Sequence, residues 1–103
     1  MLNQVVMVGR LVEKPIIKEN ENERKVSEIT LAVPRSYKNV EGVYDTDFIK
    51  CTLWNDIAEK TVEYCDKGDL VGVKGRLQCL SFNELQVVAE KITFLSNNKT
   101  KEE

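Results

Sequence analysis

The sequence predicts an all-β domain with one helix: five strands in a small, partly open barrel, with the helix between the third and fourth strands. Three observations carry this expectation. Segments with strand-like alternation recur in the order strand, strand, strand, helix, strand, strand. Glycines fall inside the first strand (Gly9) and the fourth (Gly72, Gly75), where a small barrel bends at its corners. The stretch with helical spacing, Ile57, Ala58, Thr61, Val62 and Cys65, follows the third strand directly.

Each element has its own warrant. Leu2 to Val12 is rich in β-branched residues and reads as the first strand. Residues 15–25 are polar, with Glu-Asn-Glu-Asn-Glu at their centre, and read as a mobile, solvated loop. Val26 to Arg35 is the second strand, with Ile29, Leu31 and Val33 inward and Pro34 marking its end or an exposed edge. A turn-rich connection leads to the third strand, Asp47 to Trp54, whose inward set is Ile49, Cys51 and Leu53. Asn55 or Asp56 can cap the helix, and Lys67-Gly68 can stop it. Leu70 to Phe82 and Leu85 to Leu95 are the last strands, joined by a tight turn near Asn83-Glu84. Phe94 is expected in the core, and Tyr44 and Tyr64 are expected to be packing residues. The barrel domain is placed at residues 1–96 and a short, polar, disordered tail at 97–103. This layout is that of an OB-fold, whose usual ligand face runs across strands two and three.

Composition bounds the function. A chain of 103 residues, 42% hydrophobic and 31% charged, suits one soluble globular domain. No apolar run has membrane-spanning length and no signal-peptide pattern opens the chain, so the expected location is the cytoplasm, with no membrane partner. The three cysteines, Cys51, Cys65 and Cys79, are odd in number and never spaced C-x-x-C, and read as small buried hydrophobes in a reducing compartment. With no histidine, a zinc site or histidine-based catalysis is not expected, nor is any cofactor. Asp45 and Asp47, the closest thing to a metal pair, read as solvated or capping groups beside a turn. No catalytic residue and no enzymatic activity are expected.

The third strand is the unusual one. Phe48, Lys50, Thr52 and Trp54 share its outward face, so two rings flank a lysine where a solvent face ordinarily avoids large aromatics. Such rings can cover a loop or another subunit, or they can stack on unpaired bases while cations meet phosphates. On the fourth strand Lys74, Arg76, Gln78, Leu80 and Phe82 share one parity, again bases ending in a ring, and Tyr37 lies between Arg35 and Lys38. The net charge of −2 runs against nucleic acid as a partner, but acids crowd residues 13–23 and the helix while Arg10, Arg35, Lys50, Lys74 and Arg76 lie on strands. Phe48, Trp54, Tyr37 and Phe82 are candidate stacking residues, with the alternatives that Tyr37 pins a loop and Phe82 closes the barrel end. Arg10, Arg35, Lys38, Lys50, Lys74 and Arg76 are the candidate phosphate contacts.

The chain resembles the bacterial single-stranded DNA-binding protein family across about residues 2 to 95. The resemblance rests on Leu2-Asn3-Gln4-Val5-Val6-Met7-Val8-Gly9-Arg10-Leu11, Ile29-Thr30-Leu31-Ala32-Val33, Thr46-Asp47-Phe48, Leu53-Trp54-Asn55-Asp56-Ile57-Ala58-Glu59 and Lys67 to Leu77, in order and at matching separations. It implies a non-enzymatic homotetramer, with a dimer as the alternative, that coats single-stranded DNA during replication, recombination or repair, and it places the family's four stacking aromatics on Tyr37, Phe48, Trp54 and Phe82. Three departures stand out. The connection between the last two strands is short where the family carries a long hairpin. The acidic tip that recruits replication proteins has no counterpart in Lys99-Thr100-Lys101-Glu102-Glu103, so replication-protein partners are uncertain. The acidic segment from Glu19 to Glu23 would repel phosphates if it lay over the groove. The alternative expectation is a primosomal or mobile-element protein-interaction module on the same barrel, with weak DNA binding.

Overall fold

The alternation resolves into strands in a computed structural model that describes residues 1–82 and 84–95. In chain order these are β1 (Val5–Leu11), β2 (Lys18–Glu19), β3 (Lys25–Lys38), β4 (Tyr44–Trp54), helix α1 (Asn55–Tyr64), β5 (Leu70–Ser81) and β6 (Glu84–Phe94). The five long strands and the helix are those expected, and the fold is an OB-type barrel. The tail expected at 97–103 lies outside the described residues. The polar segment expected as a loop contains β2, which pairs Lys18 with Val26 and Glu19 with Lys25. Asn20 organises the turn between them: its side-chain oxygen accepts from the backbone N–H of Asn22 at 3.0 Å and of Arg24 at 2.9 Å.

The strands are ordered β1-β5-β6-β4-β3-β2, and an added β1–β3 pairing closes the barrel. β1 runs along β5 from Val5 to Arg10, then Arg10 and Leu11 turn to Ala32 and Leu31 of β3. Gly9 sits at this change of partner. A Cβ there would meet the Ala32 carbonyl at 2.8 Å, so the corner expected from sequence also requires close backbone approach. Gly75 is tighter still: a Cβ would lie 2.1 Å from the Val88 carbonyl, at the register shift where β6 carries Glu90 as an extra residue.

Leu11, Ile29, Leu31, Cys51, Leu53, Val71 and Val73 fill the interior, with Ala58 and Cys65 closing one side. Burying a side chain the size of Leu or Val stabilises by about 1.5–3 kcal/mol relative to exposure. Cys51 and Cys65 are buried as expected, and burial pushes the Cys51 thiol up to about 12. Cys79 is exposed, which corrects the expectation for the third cysteine.

Neither Asn55 nor Asp56 caps α1. The extended residue before the helix is Trp54, with no side-chain cap bond, and Asn55 makes the strand-to-helix kink in its own backbone at φ 52°. Asp56 instead lies in the first turn, where the helix dipole favours an acid. The helix ends before Gly68, as the Cys65 N–H reaches the Thr61 carbonyl at 2.9 Å, and Gly68 supplies a later turn at φ 89°.

Two hairpins extend beyond the barrel. Pro34 does not end its strand: β3 continues to Lys38, with the register to β4 shifting between Pro34 and Lys38. β5 and β6 continue to Ser81 and Glu84, and from Leu77 onward both faces of β5 are exposed. Leu77 and Cys79, whose parity matched the core residue Val73, are therefore outside the core, because the barrel ends beneath them. The connection is as short as the sequence indicated, yet the strands themselves form an arm. Asn3 ties the arm down: its side chain accepts from the Leu77 N–H at 2.9 Å and donates to the Leu77 carbonyl at 3.0 Å. Phe94 is also not a core residue. It is partly exposed, with its ring 5.9 Å from that of Tyr64. Tyr44 is exposed, with Lys38 Nζ 5.7 Å from its ring centre.

Candidate nucleic-acid interface

β3 and β4 pair in antiparallel register, so directly opposed residues share a face. Four successive rows cover the outside of the barrel: Val26 with Trp54, Glu28 with Thr52, Thr30 with Lys50, and Ala32 with Phe48. The β1–β3 pairing extends the last row to Arg10. Phe48 is 66% exposed and Trp54 36%, with Lys50 exposed between them. Six residues of strand separate the rings by roughly 20 Å. The face is thus a ribbon with a ring near each end and cations at Lys50 and Arg10. Arg10 is itself positioned by donating to the Gly68 carbonyl at 3.0 Å.

Thr52, expected to be wet, is buried. Its hydroxyl bonds the Gln86 side chain, because β6 runs beside β4 in parallel there, with Thr52 opposite Val88. Lys50 borders a cleft shared with Glu84, Leu85 and Gln86, so the β5–β6 arm rises from the edge of the same face. At its turn Phe82 is 96% exposed. Tyr37, 62% exposed, lies on the β3–β4 hairpin beyond Pro34.

The remaining candidates are placed differently. Lys74 lies opposite Val6 and Lys91 on the outer surface of β1, β5 and β6, with β6 between it and β4. Arg76 lies 3.4 Å from Glu90 and donates to Gln78 at 3.2 Å. Arg35 is held by Asp47 through two bonds of 3.1 and 3.0 Å, with Asp45 at 3.7 Å. The bonded guanidinium holds the Asp47 carboxyl below its ordinary value, and Asp47 raises Arg35 in return. Asp45 and Asp47 thus converge on a guanidinium. Asn39 donates to Asp45 at 3.2 Å and so joins this group to the turn. At the other end of the face Lys25 pairs with Glu59 at 2.7 Å, and the bond to that carboxylate raises the lysine above its ordinary value.

Val26, Glu28, Thr30 and Ala32 belong to the face but were not singled out from sequence. Their parity opposite Ile29 and Leu31 was the available signal. The Arg10–Ala32–Phe48 row depends on barrel closure and has no local signature.

The fold and this face define an OB barrel with an aromatic and basic outer ribbon. The chain matches the single-strand binding protein family over residues 2–100 and belongs to it. It is 44% identical over 93 residues to single-stranded DNA-binding protein B of Bacillus subtilis, covering 90% of this chain and 82% of that protein. It is 36% identical to single-stranded DNA-binding protein 1 of Lactococcus lactis, covering 97% of this chain and 72% of that one. A single-stranded DNA-binding protein of Halalkalibacterium halodurans is 40% identical, covering 92% of this chain and 61% of its own length.

Proposed function

We propose that this chain binds single-stranded DNA without catalysing a reaction, by stacking bases on exposed rings while cations meet phosphates. The observation that carries the reading is the β3–β4 ribbon: Phe48 and Trp54 exposed on one face, Lys50 between them, Arg10 in the row of Phe48. Family membership and the names of the relatives support it. Stacking contributes about 1–3 kcal/mol per base and tolerates any base, which suits a coating role in replication, recombination or repair in the cytoplasm. Tyr37 and Phe82 extend the stacking set onto the two hairpins. Lys38, Lys50 and Arg10 are the primary phosphate contacts. Lys74 and Arg76 serve a strand that wraps past the arm, and Arg35 contributes once it exchanges Asp47 for a phosphate.

Assembly as a homotetramer, or a dimer, belongs to the opposite surface. Val6, Val8 and Leu95 are exposed there beside Gly72 and Thr93, an apolar patch suited to a second copy. A protein-interaction role has its own support in Leu77, Leu80 and Leu85, exposed on the β5–β6 arm. Titrating oligo-dT at two salt concentrations while following Trp54 fluorescence separates the readings. Quenching that weakens with salt is expected. Unchanged fluorescence at low salt, with shielding by a protein partner instead, would replace DNA binding with the interaction role.

A further inference from the structure

We infer that Glu28 gives this DNA-binding face a base preference, favouring bases that carry an exocyclic amino group over thymine; the inference rests on the DNA-binding reading above. Glu28 lies in the row between the Trp54 row and the Lys50 row, opposite Thr52, on the outward parity of β3. Its side chain is exposed, and among the described residues it makes no ion pair. A carboxylate in the middle of a ribbon meant for polyanions works against phosphate binding, so its place there calls for a different partner. An ionised carboxylate only accepts hydrogen bonds. The amino group of cytosine offers it a donor, whereas thymine presents a carbonyl oxygen at the same position.

The surroundings divide the labour. Glu28 lines a cleft of about 250 Å³ together with Glu13, Lys14, Lys18 and Thr30. Lys14 and Lys18 are available to the backbone of a strand entering the cleft, and Glu28 to the edge of a base. A base stacked on Trp54 lies one row from Glu28, a separation of roughly 7 Å along the strand. That is within reach of a base edge meeting a glutamate side chain. The rings alone would bind every base; the carboxylate between them favours an amino group over a carbonyl oxygen at the exocyclic position.

The test compares oligo-dC and oligo-dT of equal length, by competition titration, in the wild-type chain and in Glu28→Ala and Glu28→Gln. Because oligo-dT is intrinsically the more flexible strand, the quantity read is the change in the dC-to-dT affinity ratio between proteins. The ratio is expected to fall roughly three- to tenfold in Glu28→Ala, as for the net loss of one ordinary hydrogen bond on a solvent-exposed face, with oligo-dT binding strengthened. In Glu28→Gln it is expected to fall by less, since the amide still accepts. An equal ratio in wild type and Glu28→Ala, both binding DNA, overturns the role of Glu28 alone. A wild-type chain that binds neither oligonucleotide overturns the DNA-binding reading beneath it. Glu28 lies outside the core, so both variants keep the barrel intact.

Discussion

Two surfaces of this barrel expose apolar groups, and they expose different kinds. On β3 and β4 the exposed groups are rings set apart by polar rows: Trp54, Thr52 with Glu28, Lys50, Phe48. On β1, β5 and β6 they are aliphatic and adjacent: Val6 and Val8 beside Gly72, with Thr93 and Leu95 at the margin. Separated flat platforms accommodate a chain of bases joined by charged links. The aliphatic patch, bordered by Lys74 and Lys91, offers no flat platform for a base and suits another protein surface. Total exposed apolar area would not distinguish the two; its spacing and shape do.

Substitutions can break this comparison in graded ways. The largest effect is expected for Gly75→Ala, which forces a Cβ against the Val88 carbonyl and should cost about 3 kcal/mol. Urea denaturation would read it, both surfaces should fail together, and an unchanged midpoint would refute the close approach. Next, Phe48→Ala should weaken oligo-dT binding by about 1–3 kcal/mol and leave the oligomer mass unchanged. Val6→Glu should do the reverse in light scattering, lowering the mass while each chain keeps its stacking face. If either variant disturbs both readouts equally, the two surfaces are not separate in function. A smaller effect is expected in salt dependence. Lys50→Ala should reduce the slope of log affinity against log salt by about 0.7, the value for one phosphate contact on a single strand. Lys74→Ala should change it less, and equal slopes for the two would place the DNA path across both surfaces.

The smallest effect concerns acid. Asp47 is held below its ordinary value of 3.8 by Arg35, so its folded form is the more acidic. Its contribution to stability is therefore complete above that ordinary value and is lost as pH falls through the lower, folded value. The pair is exposed, which keeps the contribution small. A stability profile from pH 5 downward should be slightly flatter in Asp47→Asn than in wild type.

The strands, their order and the helix were legible because one covered face imposes a period of two, and the helix a period near four. What sequence did not reveal was where the barrel stops. Val73, Leu77 and Cys79 share a parity, yet of these three only Val73 is enclosed, since among the described residues no core element covers the arm. The same limit governs the site. Phe48, Lys50 and Trp54 were legible as one face of one strand, while the position of Lys74 relative to that face depends on the sheet order, in which β6 lies between β5 and β4. Thr52 looked wet because its cover, Gln86, is distant in sequence. Arg35 looked available because its carboxylate partners, Asp45 and Asp47, are on the facing strand.

The uneven burial of the cysteines has a practical consequence for experiments on this protein. Cys51 and Cys65 are enclosed, and the Cys51 thiol, pushed up to about 12, stays protonated and unreactive at neutral pH. Cys79 is exposed on the β5–β6 arm. A maleimide dye added to the native chain should therefore attach at Cys79 without prior removal of other thiols. With Trp54 at the barrel and a dye on the arm, energy transfer between them would report the arm's movement as a nucleic acid strand arrives.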